Sequence, residues 1–215
     1  MVEVKKLPAA FYCTALGNEP VREWLQSLET ADRRIIGQDI ATAEFGWPVG
    51  MPVCRSLGRG LYEIRSDLTG RRIARVIFLR CGWAHGAPAR VYQEDAENAE
   101  GGFGFGAETK EGDCIMRKKS TSRKKGRIGS SFADYLKDEG AYQETSAVAI
   151  KRVLAWQLES AMEKQGVSKN EMAKRMHTSR SQLDRILDPD NDKVQLDTVF
   201  KAAQVLGREV KMELV

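Results

Sequence analysis

The sequence predicts an α+β chain in which a helix-plus-antiparallel-sheet unit precedes an all-helical unit that closes on a strand. Three observations predict it. Helically spaced apolar residues over 31–45 are followed by two alternating stretches, 61–66 and 72–79. That order is lost from 80 to 127, where the texture turns acidic and glycine-rich and then basic. From 128 to 215 the apolar period returns, this time as that of helices until a last alternating run. The predicted units are therefore 1–79, a linker over 80–127, and 128–215.

Taken in order, Phe11, Tyr12 and Thr14 predict a short strand, and Pro20, suited to a first helical turn, opens a helix over 20–28. Ile35, Ile36, Ile40 and Phe45 recur at helical spacing and predict a second helix. The strands over 61–66 and 72–79 flank Asp67, Leu68, Thr69 and Gly70, a turn that makes them an antiparallel hairpin. The linker gathers Glu94, Asp95, Glu97 and Glu100, then Gly101, Gly102, Gly104 and Gly106, a composition that predicts disorder. Seven of the eleven residues over 117–127 are Lys or Arg, a solvated run that would add phosphate affinity beside a docked domain. Beyond it, Ile150, Val153, Leu154, Leu158 and Ala161 line one helix face that stops near Gly166.

The next segment predicts a helix-turn-helix. Ser168 and Glu171 have capping-box spacing, so a helix runs from Lys169 to Met176. His177, Thr178 and Ser179 form the turn, and Ser179 with Gln182 repeats the spacing to start a third helix through Leu187. Met172, Ala173, Met176, Leu183 and Ile186 fall where the pair would pack inward, which leaves Arg180, Ser181, Gln182 and Arg185 outward. Those residue types suit the major groove, where Gln pairs bidentately with adenine and Arg with guanine. Lys169, at the start of the preceding helix and favoured by its dipole, is a phosphate-contact candidate, and Thr178 and Ser179 in the turn are counted with the DNA-binding residues. Asp188, Pro189 and Asp190 break the chain, and Leu196, Val199, Ala203 and Leu206 supply another helix. Val210, Met212 and Leu214 then alternate as a strand whose edges need a partner, for which a second subunit's copy is suited.

Composition narrows the function classes. A net charge of +4, from 34 basic and 30 acidic residues, makes only a weak general case for nucleic acid. Cys13, Cys54, Cys81 and Cys114 are scattered, with neither metal-ligand pairing nor disulfide density, so no metal and no cofactor is expected. No leader and no apolar run of about 18 residues is present, which predicts a soluble cytoplasmic protein with no membrane partner. His85 stands beside Gly82 and Gly86, and the acids over 94–100 have no defined placement, so no residue is assigned a catalytic role.

Two resemblances follow from these residues. The stretch 168–187 resembles the Cro/repressor-type helix-turn-helix, and 128–215 as a whole resembles the HigA-like antitoxins, with His177 where that family usually has glycine. Histidine tolerates positive φ better than most residues, so only modest strain is implied. Arg22-Glu23-Trp24-Leu25, Phe45-Gly46-Trp47-Pro48 and Met51-Pro52-Val53-Cys54-Arg55 resemble a phage-derived HigB branch of the RelE/ParE toxins, many of which cut mRNA on the ribosome. That resemblance implies a basic surface for RNA phosphates made of Arg55, Arg59, Arg65, Arg71, Arg72 and Arg75. Arginines that alternate along strands are equally the solvent face of a half-buried sheet.

The toxin resemblance ends after Leu79, where the family continues with a further core strand and a basic terminus. Codons can be chosen for 81–98 whose next frame reads as such a terminus, and the same shift near Met116 gives a stop overlapping its ATG if Arg117 uses an AG-type codon. Two function classes follow. One is a DNA-binding antitoxin and autorepressor fused to an inactive toxin remnant, with operator DNA, a second copy and a cognate HigB-like toxin as partners. The other is a ribosome-dependent mRNA endonuclease neutralised in cis, with ribosome or mRNA as partner only if the toxin half is active. If the frameshift hypothesis holds, the gene read one nucleotide ahead over codons 81–116 encodes a basic toxin-like terminus; a gene sequence without one ends it.

Overall fold

In the computed structural model the structure describes residues 5–51, 53–80, 126–189, 191 and 194–210, and residues 89–93 in their backbone. Strand β1 (Ala9–Cys13) leads into helices α1 (Pro20–Ser27) and α2 (Thr30–Gly46). Strands β2 (Cys54–Gly58), β3 (Leu61–Asp67), β4 (Ile73–Leu79), β5 (Ala89–Gln93) and β6 (Arg127–Ser131) follow. Helices α3 (Phe132–Asp138), α4 (Tyr142–Lys164), α5 (Lys169–Arg175), α6 (Arg180–Leu187) and α7 (Leu196–Val205) complete the described order. The chain is thus mixed α+β. No helix among the described residues is long and apolar enough to cross a membrane.

Local chemistry explains the first elements. Pro20 occupies the first turn of α1, and Val21 and Leu25, one turn apart, are both buried. The β3–β4 hairpin has the register its alternation demands: Tyr62, Ile64 and Ser66 oppose Phe78, Val76 and Ala74, and Ile64, Val76, Phe78 and Ala74 are buried in the core. Arg65 and Arg75 oppose each other on the other face. Gly70, at φ 74°, takes the left-handed conformation in the connecting 3-10 turn (Thr69–Arg71). At the end of α2, the Trp47 ring meets Tyr62 at 4.7 Å and Phe78 at 5.6 Å, tying the helix end to the hairpin.

Helix α2 is unusual in being buried nearly all round, with every residue from Ile36 to Gly46 in the interior. One side faces β3, and α4 lies along the other. A helix with no exposed stripe needs a second cover besides the sheet. Three of its buried carboxylates are partnered. Asp39 meets Arg152 of α4 at 2.8 Å, Asp32 holds Arg72 at 2.7 Å, and Glu44 accepts from Lys5 at 2.6 Å and from the Ala9 N–H at 2.8 Å. Burial pushes the Glu44 carboxyl above its ordinary value, with the Lys5 charge offsetting part of the effect.

Three differences from the sequence-based expectation stand out. Among the described residues the sheet has six strands in the order β2-β3-β4-β5-β1-β6, antiparallel throughout except for the β1–β5 pair. A further strand, β5, lies inside the stretch predicted as disordered linker and pairs with β4 (Val76↔Gln93, Leu79↔Arg90) and with β1 (Ala9↔Ala89, Phe11↔Val91). The physical reason is that β4 and β1 would otherwise present two open rows of N–H and C=O groups to the same slot. Short β2, with its exposed Arg55, Ser56, Leu57 and Gly58, carries no alternation that sequence reading detects.

The second difference is that the unit predicted to begin at 128 as all-helical opens with a strand of the N-terminal sheet. β6 pairs antiparallel to β1 through Ala10↔Ser131, Tyr12↔Ile128 and Cys13↔Arg127. The third is where the cores divide. Phe132, Tyr135, Leu136, Ala149 and Val153 belong to the first core with Phe11, Leu25, Ile36 and Ile40, whereas Leu158 to Leu206 form the second. The division falls inside α4 and not at 127/128. At the other end, 208–210 are irregular, and the rest of the predicted terminal strand, like the basic run over 117–125, His85 and the acids over 94–100, lies outside the described residues.

Polar contacts lock β6 in place. Both Glu19 carboxylate oxygens engage Ser130, one taking its backbone N–H and the other its hydroxyl at 2.7 Å, while Arg22 donates to the same hydroxyl at 2.9 Å. A Cβ on Gly129 would lie 2.2 Å from Glu19 Oε1 and 3.0 Å from the Phe11 carbonyl oxygen, so this close approach requires glycine. Burial raises the Glu19 carboxyl, but the Ser130 hydrogen bonds and the Arg22 charge outweigh it and hold the group below its ordinary value of 4.5. A lowered carboxylate stabilises the fold above the ordinary value, and that contribution is lost as pH falls through the lowered one. Glu19→Gln is expected to cost about 1–2 kcal/mol in urea denaturation at about pH 7, with the gap to the parent chain closing below pH 4.5; a gap unchanged down to about pH 3 would refute this.

Candidate nucleic-acid interface

Helix α4 ends at a left-handed glycine, Gly166, at φ 64°. The Gly166 N–H reaches the Glu163 carbonyl at 3.0 Å and the Val167 N–H reaches that of Met162 at 2.9 Å, the paired bonds of a Schellman stop. Ser168 then caps α5, its Oγ accepting from the Glu171 N–H at 3.2 Å. The reciprocal half of the expected capping box is replaced, because the Glu171 carboxylate takes Arg175 Nε at 3.0 Å.

The turn has the same construction with histidine at the left-handed position. His177 sits at φ 50°, its N–H bonds to the Lys174 carbonyl at 3.0 Å, and the Thr178 N–H bonds to that of Ala173 at 3.0 Å. Ser179 caps α6 by accepting from the Gln182 N–H at 3.2 Å. Inside, Met172, Ala173, Met176, Leu183 and Ile186 pack with Leu158, Met162, Val167 and Leu206, so the inward set expected from spacing is inside the second core. The core fixes the angle between α5 and α6, because Met172, Met176 and Leu183 are wholly buried.

Outside, Lys169, Ser179, Arg180, Ser181 and Arg185 are exposed, and Thr178 and Gln182 are half-buried. The structure therefore places the seven predicted residues along α5, the turn and α6. It also adds two that spacing did not single out. Asp184 lies 3.2 Å from Lys169 Nζ and 3.8 Å from Arg180 Nε, and Asn170 accepts from Arg180 at 3.0 Å. Arg180 and Asp184 stand one turn apart, the spacing of a helix-surface ion pair, and that was the available signal. These pairs are more than two-fifths exposed on each side, so they are weak and exchangeable. An incoming phosphate can take either cation from Asp184.

The arginines of the toxin-like resemblance do not form one surface. Arg55, Arg65 and Arg75 lie on the helix-free face of the sheet around Glu63, which pairs with Arg75 at 3.5 Å. Arg71 and Arg72 are at the β3–β4 turn, where Arg72 is engaged by buried Asp32. Arg59, at φ 52°, is in the β2–β3 turn at the opposite end of the hairpin. Alternation put three on one face, and the strand length separates the others.

A second charged region escaped sequence reading. On α1 and α2, Arg22 meets Asp138 at 3.0 Å, Arg33 pairs with Glu139, and Arg34 with Glu144. The partners are more than a hundred residues apart in sequence, so no local pattern announces them. Among the described residues no cluster of three His, Cys, Asp or Glu is placed to hold a metal ion.

A family model, phage derived protein Gp49-like (DUF891), matches residues 23–83, from within α1 to just past β4. This is a toxin-like family of toxin–antitoxin systems. No curated protein and no solved structure matches the chain.

Proposed function

We propose that the protein is a DNA-binding regulator of the toxin–antitoxin type, in which a HigA-like part reads an operator and carries a HigB-like, RelE-related part fused to it. The observation that carries this reading is the α5–α6 pair, capped twice by serine and locked by a buried core, with Arg180, Ser181, Gln182 and Arg185 directed away from that core. The N-terminal residues of such a second helix enter the major groove, where Gln182 is suited to adenine and Arg185 or Arg180 to guanine. Lys169, Thr178 and Ser179 then meet the flanking phosphates, with Lys169 leaving Asp184 to do so. A palindromic operator requires two copies, and pairing through the C-terminal strand would supply them. A separate HigB-like toxin is a further partner on this reading.

In a selected-sequence binding assay, Gln182→Ala or Arg185→Ala is expected to weaken operator binding by about 1–3 kcal/mol, and Lys169→Ala to weaken binding to all sequences alike. Equal losses on specific and random DNA for the two α6 variants would sink the assignment.

A second reading, an mRNA endonuclease held inactive in cis, is favoured by one observation: β5 occupies the slot between β4 and β1 that a truncated toxin sheet would leave empty. In that reading the exposed Arg55 and Arg75, with Arg65, face RNA. Expression of residues 1–115 alone tests it, since growth arrest with mRNA cleavage supports the enzyme, and harmless expression of soluble fragment counts against it.

A further inference from the structure

We propose that Asp184 is the specificity filter of the α5–α6 face: on DNA of arbitrary sequence its carboxylate opposes phosphate binding, and it is relieved only where the amino group of a cytosine stands across from it in the major groove. The inference rests on the DNA-reading role of α6 proposed above. It adds one base to that role, and a residue that acts against every other sequence.

Helix α6 reads Arg-Ser-Gln-Leu-Asp-Arg-Ile-Leu, and Asp184 is its one acid. Leu183, Ile186 and Leu187 point into the second core. At about 100° per residue, Asp184 falls between Arg180 and Ser181 around the helix, with Arg185 beyond Ser181, so the carboxylate lies within the arc of the exposed residues. An acid on that arc faces whatever the two arginines face. Its side chain is 47% exposed and so open to a ligand.

Both carboxylate oxygens are committed, one to each helix. Oδ1 accepts from Lys169 Nζ of α5 at 3.2 Å, and Oδ2 is 3.8 Å from Arg180 Nε of α6. Asn170 holds Arg180 on another side, accepting from it at 3.0 Å. The carboxylate thus leaves one net positive charge where the two cations alone would give two. As a stabilising contact this is worth little, because the partners are exposed. As a filter it acts at the moment the cations are used.

If phosphate takes Lys169 and guanine or phosphate takes Arg180, Asp184 is left beside a polyanion without either cation, and like charges so placed repel. A donor in the groove must replace them. Cytosine presents its N4 amino group there, and a carboxylate accepts from it. Adenine also presents an amino group, but its neighbouring N7 is an acceptor and opposes the second carboxylate oxygen. Guanine O6 and thymine O4 are acceptors and repel the group outright.

The test starts from duplexes that the full chain selects out of a random pool. Asp184→Ala is expected to bind the unselected pool about threefold to tenfold more tightly, with log affinity falling against log salt more steeply by about one phosphate, since Lys169 and Arg180 then meet DNA unopposed. Asp184→Asn, which keeps the size and one acceptor oxygen but not the charge, should do the same. In the selected duplex, each cytosine in turn is exchanged for 2-pyrimidinone, which lacks the N4 amino group and leaves the opposing guanine intact. At one position the exchange should weaken the parent chain about tenfold and leave Asp184→Ala unaffected. Unchanged affinity of both variants for the pool would overturn the filter, and equal losses of parent and Asp184→Ala at every exchanged position would overturn the cytosine contact. A parent chain that selects no sequence removes the DNA-reading role and this inference with it. Selection that Gln182→Ala and Arg185→Ala impair but Asp184→Ala leaves untouched removes this inference alone.

Discussion

The rest of the structure depends on α2 having no face to give to water. Ile36 and Ile40 are essentially unexposed, and Gly37, Ala41, Ala43 and Gly46 let neighbours approach on the remaining sides. The sheet covers one side through Ile64, Val76 and Phe78. The α4 side is covered by residues far along the chain, among them Leu136, Ala149 and Val153, each contributing of the order of 1–3 kcal/mol of burial according to its size. The N-terminal part therefore has its core closed from outside itself.

Helix α4 turns the need into architecture. Its N-terminal half belongs to the first core and its C-terminal half, from Leu158, to the second. A continuous 23-residue helix transmits orientation, so the α5–α6 face stands in a definite relation to the sheet. On the proposed function, whatever disturbs the docking of α4 on α2 reaches the DNA-reading helices through one rigid element. The family match ends at residue 83 and so includes α2 but not the α4 that packs on it.

Much of the candidate interface was legible because its determinants are local. Ser168 and Ser179 announce helix starts, Gly166 announces a stop, and His177 adopts the positive φ its place in the turn requires. Asp184 was less visible, since an acid on a helix surface acquires meaning only when Lys169, fifteen residues earlier, is brought beside it. In the N-terminal part, Pro20, the Ile35 to Phe45 spacing and the β3–β4 alternation sufficed for α1, α2 and the hairpin. The short strands β2, β5 and β6 did not show. β6 reads Arg-Ile-Gly-Ser-Ser, with no apolar alternation, and exists because β1 has an edge to fill.

By itself, then, the sequence determined the elements whose signals span one or two turns: the α+β class, both serine caps, the inward set of α5 and α6, and the hairpin. Those depend on hydrogen bonds and side-chain periods within a few residues. The tertiary structure decided which core each element serves. Backbone edges and a helix buried on both sides take their partners from wherever the chain returns, and sequence distance carries no information about that. So the strand at 127 joined the N-terminal sheet, the arginines of α1 and α2 met carboxylates more than a hundred residues away, and the boundary between the two cores fell in the middle of a helix.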